Sequence, residues 1–200
     1  MSPTWRAEQK ANRRAELMRH AAALFAERGF AAVSTSGLGE AVGMTGPALY
    51  KHFLSKEALL AELLEDASSR LLAGCQRILV EPATPSDTLR ALIDFHIEFA
   101  ISEPDIIRIQ DRELAHLPHE ANHRVRSLQR QYVQEWDRVL TVLRPDLDED
   151  ERQTRLLATF GLLNSSPHSA PPSGDRAPAI LAELSLSALL DTKPTPVRPG

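Results

Sequence analysis

The sequence lacks the features that mark secreted, disulfide-stabilised or membrane-spanning proteins. It has one cysteine, Cys75, in 200 residues, so it can form no internal disulfide, and this thiol is expected to pack as a small apolar side chain. No apolar run approaches the roughly 20 residues that cross a bilayer. The first residues, Met-Ser-Pro-Thr-Trp-Arg, contain no hydrophobic signal core. These absences predict a cytoplasmic protein with no membrane association.

Aromatic residues are also scarce, at 5%, and no stretch alternates apolar and polar residues as a half-buried strand would. Hydrophobic residues nevertheless make up 42% of the chain, enough for one sizeable core and a small appended domain. They recur at helical spacing. The sequence therefore predicts an all-α protein of about nine helices, with an N-terminal three-helix domain and a C-terminal helical domain.

Charge is distributed unevenly along the chain, whose net charge is -4. Residues 1–60 hold eight Lys or Arg and five Asp or Glu, whereas the other 140 residues hold 15 and 22. Because screening confines each charge to about 8 Å at physiological salt, the acidic part costs the basic part little affinity for phosphates. Arg6, Lys10, Arg13 and Arg14 are predicted to form a basic arm ahead of the first helix, either solvated or touching DNA.

The spacing over residues 11–64 predicts two short helices after a longer one. The first should run from about Ala11 to Arg28 and end at Gly29, a suitable C-terminal cap. Ser34 can cap a second helix, which Gly37 and Gly39 should loosen by roughly 1 kcal/mol each relative to alanine. Gly43 then permits a steep turn.

A third helix of about seven residues, roughly 10 Å long, is predicted to follow, capped by Thr45 or Gly46. Leu49 and Phe53 should face inward. Its small leading residues would allow close approach to DNA, and its polar residues can donate to phosphates or base edges. Ser55 should cap the next helix and set Lys56 in its first turn. The predicted DNA-binding residues are Thr45, Gly46, Pro47, Ala48, Tyr50, Lys51, His52 and Lys56. The alternative is an ordinary helical surface.

This segment resembles the N-terminal DNA-binding domain of the TetR family of bacterial transcription regulators. The residues that carry the resemblance are Phe25, Gly29, Phe30, Gly43, Thr45, Leu49, Tyr50, His52, Phe53, Ser55, Lys56, Glu57 and Leu60. The resemblance implies a third helix in the major groove, phosphate contacts from Thr45, Tyr50 and Lys56, a dimer, and a variable helical domain that holds an inducing ligand. Thr35 and Gly37 depart from the family's usual second helix.

The predicted domains are residues 1–60 for DNA binding, 61–192 for ligand binding and dimerisation, and 193–200 as a disordered tail. A linking helix is expected from residue 55 to about 79. The second domain should also hold helices at 86–101, 105–117, 118–143, 148–164 and 178–190, with a Ser-, Pro- and Gly-rich loop at 165–177. The last two helices carry more apolar surface than one monomer face needs. This excess predicts a homodimer; a broad core-facing stripe is the alternative.

Aromatic and apolar residues of the middle helices predict a pocket for an apolar ligand, although each could be plain core. The predicted lining is Phe95, Phe99, Ile107, Leu128, Tyr132, Trp136 and Phe160. Asn164 could orient a polar head group or end a helix. The segment from Phe160 to Ser169 is similar to that of TetR-type regulators associated with acyl-CoA and fatty-acid breakdown, so an acyl-CoA or other lipid-like inducer is one candidate.

The string His-Glu-Ala-Asn-His at 119–123 formally matches a zinc-hydrolase pattern, His-Glu-x-x-His. Further potential ligands nearby in sequence are His96, His116, Asp111 and Glu113. The segment opens a polar helix without a surrounding apolar ring, so a solvated helix start is preferred and no catalytic residue, metal or cofactor is predicted. The sequence thus favours a ligand-controlled dimeric repressor that binds operator DNA. A zinc-dependent hydrolase and a constitutive architectural DNA binder are the alternatives.

Overall fold

The computed structural model describes residues 5–41, 43, 53–165 and 176–191, and these contain eight α-helices and no strand. The all-α prediction is confirmed. The helices are α1 (Trp5–Arg28), α2 (Thr35–Ala41), α3 (Lys56–Val80), α4 (Pro85–Ser102), α5 (Pro104–Glu113), α6 (His119–Leu143), α7 (Glu149–Leu163) and α8 (Ala177–Leu190). The predicted third helix and the 193–200 tail lie outside the described residues. Within those residues, no helix is both long and apolar enough to cross a membrane.

The helix ends follow the capping residues of the sequence. Gly29 adopts a φ of +80° after α1, and its N–H donates to the Phe25 carbonyl at 3.0 Å. Ser34 Oγ accepts from Gly37 N at 3.0 Å, and Ser55 Oγ accepts from Ala58 N at 3.1 Å. Each hydroxyl satisfies a backbone donor that the first helical turn leaves without a partner. Both predicted N-caps are confirmed.

The start of α1 corrects the predicted basic arm. The helix begins at Trp5 instead of about Ala11, so the four basic residues belong to α1. Good helix formers at positions 6–10 explain the extension. Arg13 pairs with Glu16 at 2.8 Å, while Arg14 Nε donates to Glu62 Oε1 at 2.8 Å. The Arg14 guanidinium also lies 4.2 Å from the centre of the Phe53 ring.

The helix predicted for residues 105–117 ends earlier than expected. α5 stops at Glu113, and Leu114–His116 form a single 3₁₀ turn. Leu117 is extended, with φ -70° and ψ 141°. Pro118 accounts for this conformation, because a proline ring disfavours helical backbone in the residue before it.

The chain divides into two compact units. The first unit comprises residues 1–70 and 103–129, and the second comprises 71–102 and 130–200. The first has its core on α1, α2, α5 and the first part of α3, with fully buried Leu17, Phe25, Leu38 and Leu60. The predicted domain boundary after Leu60 falls within α3 and stays a prediction.

In the second unit, α8 packs against α4 and α7. Arg144 fixes the end of α8, because its Nη1 donates to the carbonyls of Leu189 at 3.3 Å and Asp191 at 3.1 Å. Its Nε donates to Asp146 Oδ1 at 2.8 Å. Arg144, which directly follows α6, thus supplies donors to carbonyls that the last turn of α8 cannot pair itself.

Candidate functional site

Seven of the eight predicted DNA-binding residues, at positions 45–48 and 50–52, lie outside the described residues. The eighth, Lys56, begins α3 in the first unit. Its ammonium donates to the backbone carbonyls of Phe30 at 2.8 Å and Val33 at 2.9 Å, and lies 4.2 Å from the centre of the Phe30 ring. An ammonium has three N–H donors. The predicted phosphate contact of Lys56 stays a prediction, with two of its donors directed at the chain itself.

Glu113, at the end of α5, contacts the same backbone segment between α1 and α2 as Lys56 does. Its buried carboxylate accepts from the Phe30 N–H at 3.2 Å. His116 Nε2 lies 3.4 Å from the second carboxylate oxygen, and the His116 ring lies 5.1 Å from the Phe30 ring. Sequence reasoning had considered Glu113 only as a potential metal ligand. Its position four residues before an extended Leu117 gives no sign of a partner some 80 residues earlier.

A hydrogen-bonded chain of three polar side chains lies inside the second unit. His96 of α4 has Nδ1 3.0 Å from the Tyr132 hydroxyl of α6, and Nε2 3.0 Å from Asn164 Oδ1 at the end of α7. Since an amide oxygen only accepts, Nε2 carries the proton and Nδ1 accepts from the tyrosine hydroxyl. Three helices of this unit are therefore joined through one imidazole.

Burial keeps this centre uncharged. It lowers the pKa of His96 to about 4, although the hydrogen bond to Asn164 opposes the shift. Burial also raises the pKa of Tyr132. At neutral pH both side chains are therefore neutral, and the centre offers hydrogen bonds without a formal charge.

Aromatic rings surround the polar chain. The rings of His96, Tyr132, Trp136 and Phe160 lie within 4.9 to 6.2 Å of one another, centre to centre. The Trp136 Nε1 is fully buried and has no hydrogen-bond partner among the described residues. It lies near the Tyr132 hydroxyl and opposes the rise in the tyrosine pKa, but the two groups are not hydrogen-bonded. A donor is thus available inside an apolar surrounding.

The structure divides the predicted pocket lining between the two units. Tyr132, Trp136, Phe160 and Asn164 come together around His96, which the sequence offers as a potential metal ligand. Phe99 is buried in the same unit, and the Phe95 ring covers Gly74 there. The other two, Ile107 and Leu128, belong to the first unit. The signal for His96 was its place in the apolar stretch from Leu92 to Phe99.

The segment considered as a metal site, residues 119–123, is a solvent-exposed helix start in the structure. His119, Glu120 and His123 are all exposed at the beginning of α6. Asn122, between them, donates to the Leu114 carbonyl at 2.7 Å. In the part of the chain that the structure describes, no three His, Cys, Asp or Glu side chains lie close enough to hold a metal ion.

Large apolar side chains of the last two helices remain exposed. Leu157 of α7 is 55% exposed, and Ile180 and Leu184 of α8 are 37% and 48% exposed. α8 has one charged residue, Glu183, and two serines, and its other residues are apolar. A helix of this composition is normally covered all round.

A helical first unit with helix-turn-helix capping residues and a helical second unit with an uncharged aromatic centre fit the class of DNA-binding transcription regulators. Residues 17–63 match the family of bacterial regulatory proteins of the tetR type, and residues 82–192 match the tetracyclin repressor-like C-terminal domain. The chain belongs to the TetR family.

Known relatives match both halves. The HTH-type transcriptional repressor KstR2 of Mycobacterium tuberculosis is 33% identical over 153 residues, covering 72% of this chain and 76% of the relative. Its solved structure, of a "ketosteroid transcriptional regulator", has a TM-score of 0.77 at 28% identity, covering 89% of this chain and 93% of that one. A TetR-family regulator from Bordetella parapertussis has a TM-score of 0.82 at 25% identity, covering 89% and 94%. Against KstR2 of Rhodococcus jostii, 33% identical, the match covers 54% of this chain and about half, 53%, of the relative.

Proposed function

We propose that this protein is a dimeric transcription repressor that binds operator DNA and is released by a small apolar ligand. The observation that carries the proposal is the match of both halves, residues 17–63 and 82–192, to the two domains of one regulator family. The DNA-contacting residues proposed from the sequence are those at positions 45–48 and 50–52. Lys56, predicted with them, directs its ammonium at the carbonyls of Phe30 and Val33 instead. Location in the cytoplasm accords with this function and stays a prediction.

The ligand site that the geometry supports best is the centre formed by His96, Tyr132 and Asn164 together with Trp136 and Phe160. Its aromatic rings favour an apolar ligand body. Its polar groups are uncharged, and the Trp136 N–H has no hydrogen-bond acceptor among the described residues. A ligand with a carbonyl oxygen inside an apolar skeleton satisfies both conditions. Acyl thioesters and keto-steroids are two such classes, and the second is suggested by the similarity to KstR2 of Mycobacterium tuberculosis, a ketosteroid transcriptional regulator.

The first experiment is fluorescence anisotropy of the purified protein with the DNA upstream of its own gene, titrated with salt. The expected result is salt-sensitive binding that exceeds binding to random DNA of equal length. Failure with that DNA leads to selection from fragments of the whole genome. Absence of any preferred fragment in that selection contradicts the proposed function.

Ligand release is tested by adding acyl-CoAs and keto-steroids to the protein–DNA complex. A ligand that changes binding from mostly bound to mostly free must prefer the released state by several kcal/mol. Trp136→Phe removes the indole N–H while it keeps an aromatic ring, so it should weaken the response to a carbonyl ligand and leave DNA affinity without ligand unchanged. An undiminished response in Trp136→Phe contradicts the proposed hydrogen bond.

Simple experiments distinguish the two alternative functions, a zinc hydrolase and a constitutive architectural DNA binder, from this proposal. A zinc hydrolase at residues 119–123 requires His119, so His119→Ala should abolish hydrolysis and leave DNA binding intact. The exposure of this segment favours the regulator. A constitutive architectural binder would bind DNA equally well with every ligand tested.

A further inference from the structure

The segment 29–33, here called the α1–α2 turn, is held from two sides by charged side chains. Lys56 binds the carbonyl oxygens of Phe30 and Val33, and Glu113 binds the N–H of Phe30. Phe30 is therefore fixed through both its N–H and its carbonyl, and its buried ring lies beneath the Lys56 ammonium. Hydrogen bonds to charged groups are roughly twice as strong as those between neutral groups.

The α1–α2 turn is a junction of the first unit. α2 begins at Thr35, two residues after Val33, and Lys56 begins α3 only a few residues after the predicted DNA-reading helix. α5, which carries Glu113, packs against α1. The two charged residues thus tie four helices of this unit to one short backbone segment.

We propose that Glu113 and Lys56 are positioning residues for DNA binding, which set the α1–α2 turn and through it the DNA-reading element. This inference rests on the proposed function in DNA binding. The chain passes from α4, in the second unit, to α5 through one residue, Glu103. Glu113 stands at the other end of α5, where a shift of that helix would break its bond to Phe30. The carboxylate is therefore one point, besides the packing of α5 on α1, at which α5 can act on the α1–α2 turn.

A purely electrostatic role for either residue predicts the opposite results. Removal of the negative charge of Glu113 would raise affinity for the phosphate backbone. Removal of a phosphate contact at Lys56 would reduce the slope of log K against log salt by about 0.9. Positioning predicts a loss of affinity in the first case and an unchanged slope in the second.

The test at Glu113 uses anisotropy with an operator fragment selected by the wild-type protein. Glu113→Met removes the acceptor, and Glu113→Asp keeps the charge but shortens the side chain, so both should lose about tenfold or more in affinity. Glu113→Gln keeps an acceptor oxygen without the charge, so it should lose less affinity than either of the other two variants. Glu120→Met removes an acid that is 90% exposed and serves as the charge control. Equal affinity of the wild type, Glu113→Met and Glu113→Asp, or a gain in Glu113→Met and Glu113→Gln alike, would overturn the proposal.

The test at Lys56 measures Lys56→Met over a range of salt concentrations. Affinity should fall about tenfold or more at every salt concentration, with the wild-type slope retained. A slope reduced by about 0.9 would make Lys56 a phosphate contact and overturn its assignment as a positioning residue.

Two controls separate positioning from a general loss of folding. All affinities are measured well below the lowest thermal midpoint among the variants, and Glu113→Asp replaces Glu113→Met if the latter does not fold. Amide exchange at Phe30 should accelerate in Glu113→Met and stay slow in Glu113→Gln. Wild-type protein that binds no DNA contradicts the proposed function and removes the inference with it. Wild-type binding with unchanged variants removes the inference alone.

Discussion

His96 is a base enclosed among aromatic rings and bonded at both ring nitrogens. In the unfolded chain its pKa is near the ordinary value of 6.5, whereas burial lowers it to about 4 in the folded protein. Between these two values the unfolded state binds more protons than the folded state. The free energy of unfolding must therefore rise with pH through this window and fall as the solution is acidified.

This linkage gives a prediction at the residue scale. Acidification from pH 7 to pH 5 should cost the wild type about 2 kcal/mol more than it costs His96→Gln, which has no titrating group at this position. Urea denaturation at both pH values measures the difference. A Trp5→Phe background leaves Trp136 as the sole tryptophan and makes fluorescence report on the second unit. Parallel pH profiles for the two proteins would show that residue 96 is not a buried neutral histidine.

At the scale of helices, α3 and α4 approach closely where Gly74 meets Phe95. A methyl group built on Gly74 would lie 2.1 Å from Phe95 Cζ and within 2.8 Å of two further ring atoms. No ring can remain there against a β-carbon, so the phenyl side chain must leave its position. From the sequence alone, Gly74 is only a residue that disfavours a helix. The reason for a glycine at this position is the Phe95 ring, which belongs to another helix.

Gly74→Ala is therefore expected to destabilise the second unit by about 1–2 kcal/mol, although alanine is the better helix former. Urea denaturation followed by Trp136 fluorescence measures this change. In a Phe95→Ala background the obstructing ring is absent, and the same substitution should be neutral or stabilising by up to about 1 kcal/mol. Equal effects of Gly74→Ala in both backgrounds would rule out the Phe95 ring as the cause.

Helices and their caps could be predicted from the sequence because their causes are local. Ser34, Ser55 and Gly29 act within one turn of themselves, and each does so in the structure. The contacts that define the site are not local. Glu113 reaches a residue 83 positions away, and His96 reaches Asn164 over 68 positions. Helical spacing can place such a residue on an inner face, but cannot say which partner faces it.

At the scale of the whole molecule, the exposed apolar surface of α7 and α8 favours a dimer. A chain that leaves Leu157, Ile180 and Leu184 exposed has a surface to cover, and two-fold pairing would do so with the same patch on both copies. DNA recognition favours the same arrangement, because one short helix reads few bases and a dimer reads two half-sites. The same surface would thus shield the apolar side chains of α7 and α8 from water and set the distance between the two DNA-reading helices of the dimer.

Light scattering at micromolar concentration should accordingly give about twice the 22.1 kDa of one chain. Leu184→Glu places a charge on the proposed interface and should shift the mass to that of a monomer, since an unpaired charge is costly to bury. Operator affinity should fall in parallel, because a monomer loses one of the two half-site contacts. Val80→Glu adds the same charge at an apolar residue that is 79% exposed at the end of α3 and should leave both mass and affinity unchanged. A wild-type mass near that of one chain would contradict the dimer itself. A Leu184→Glu protein that remains a dimer would place the interface elsewhere.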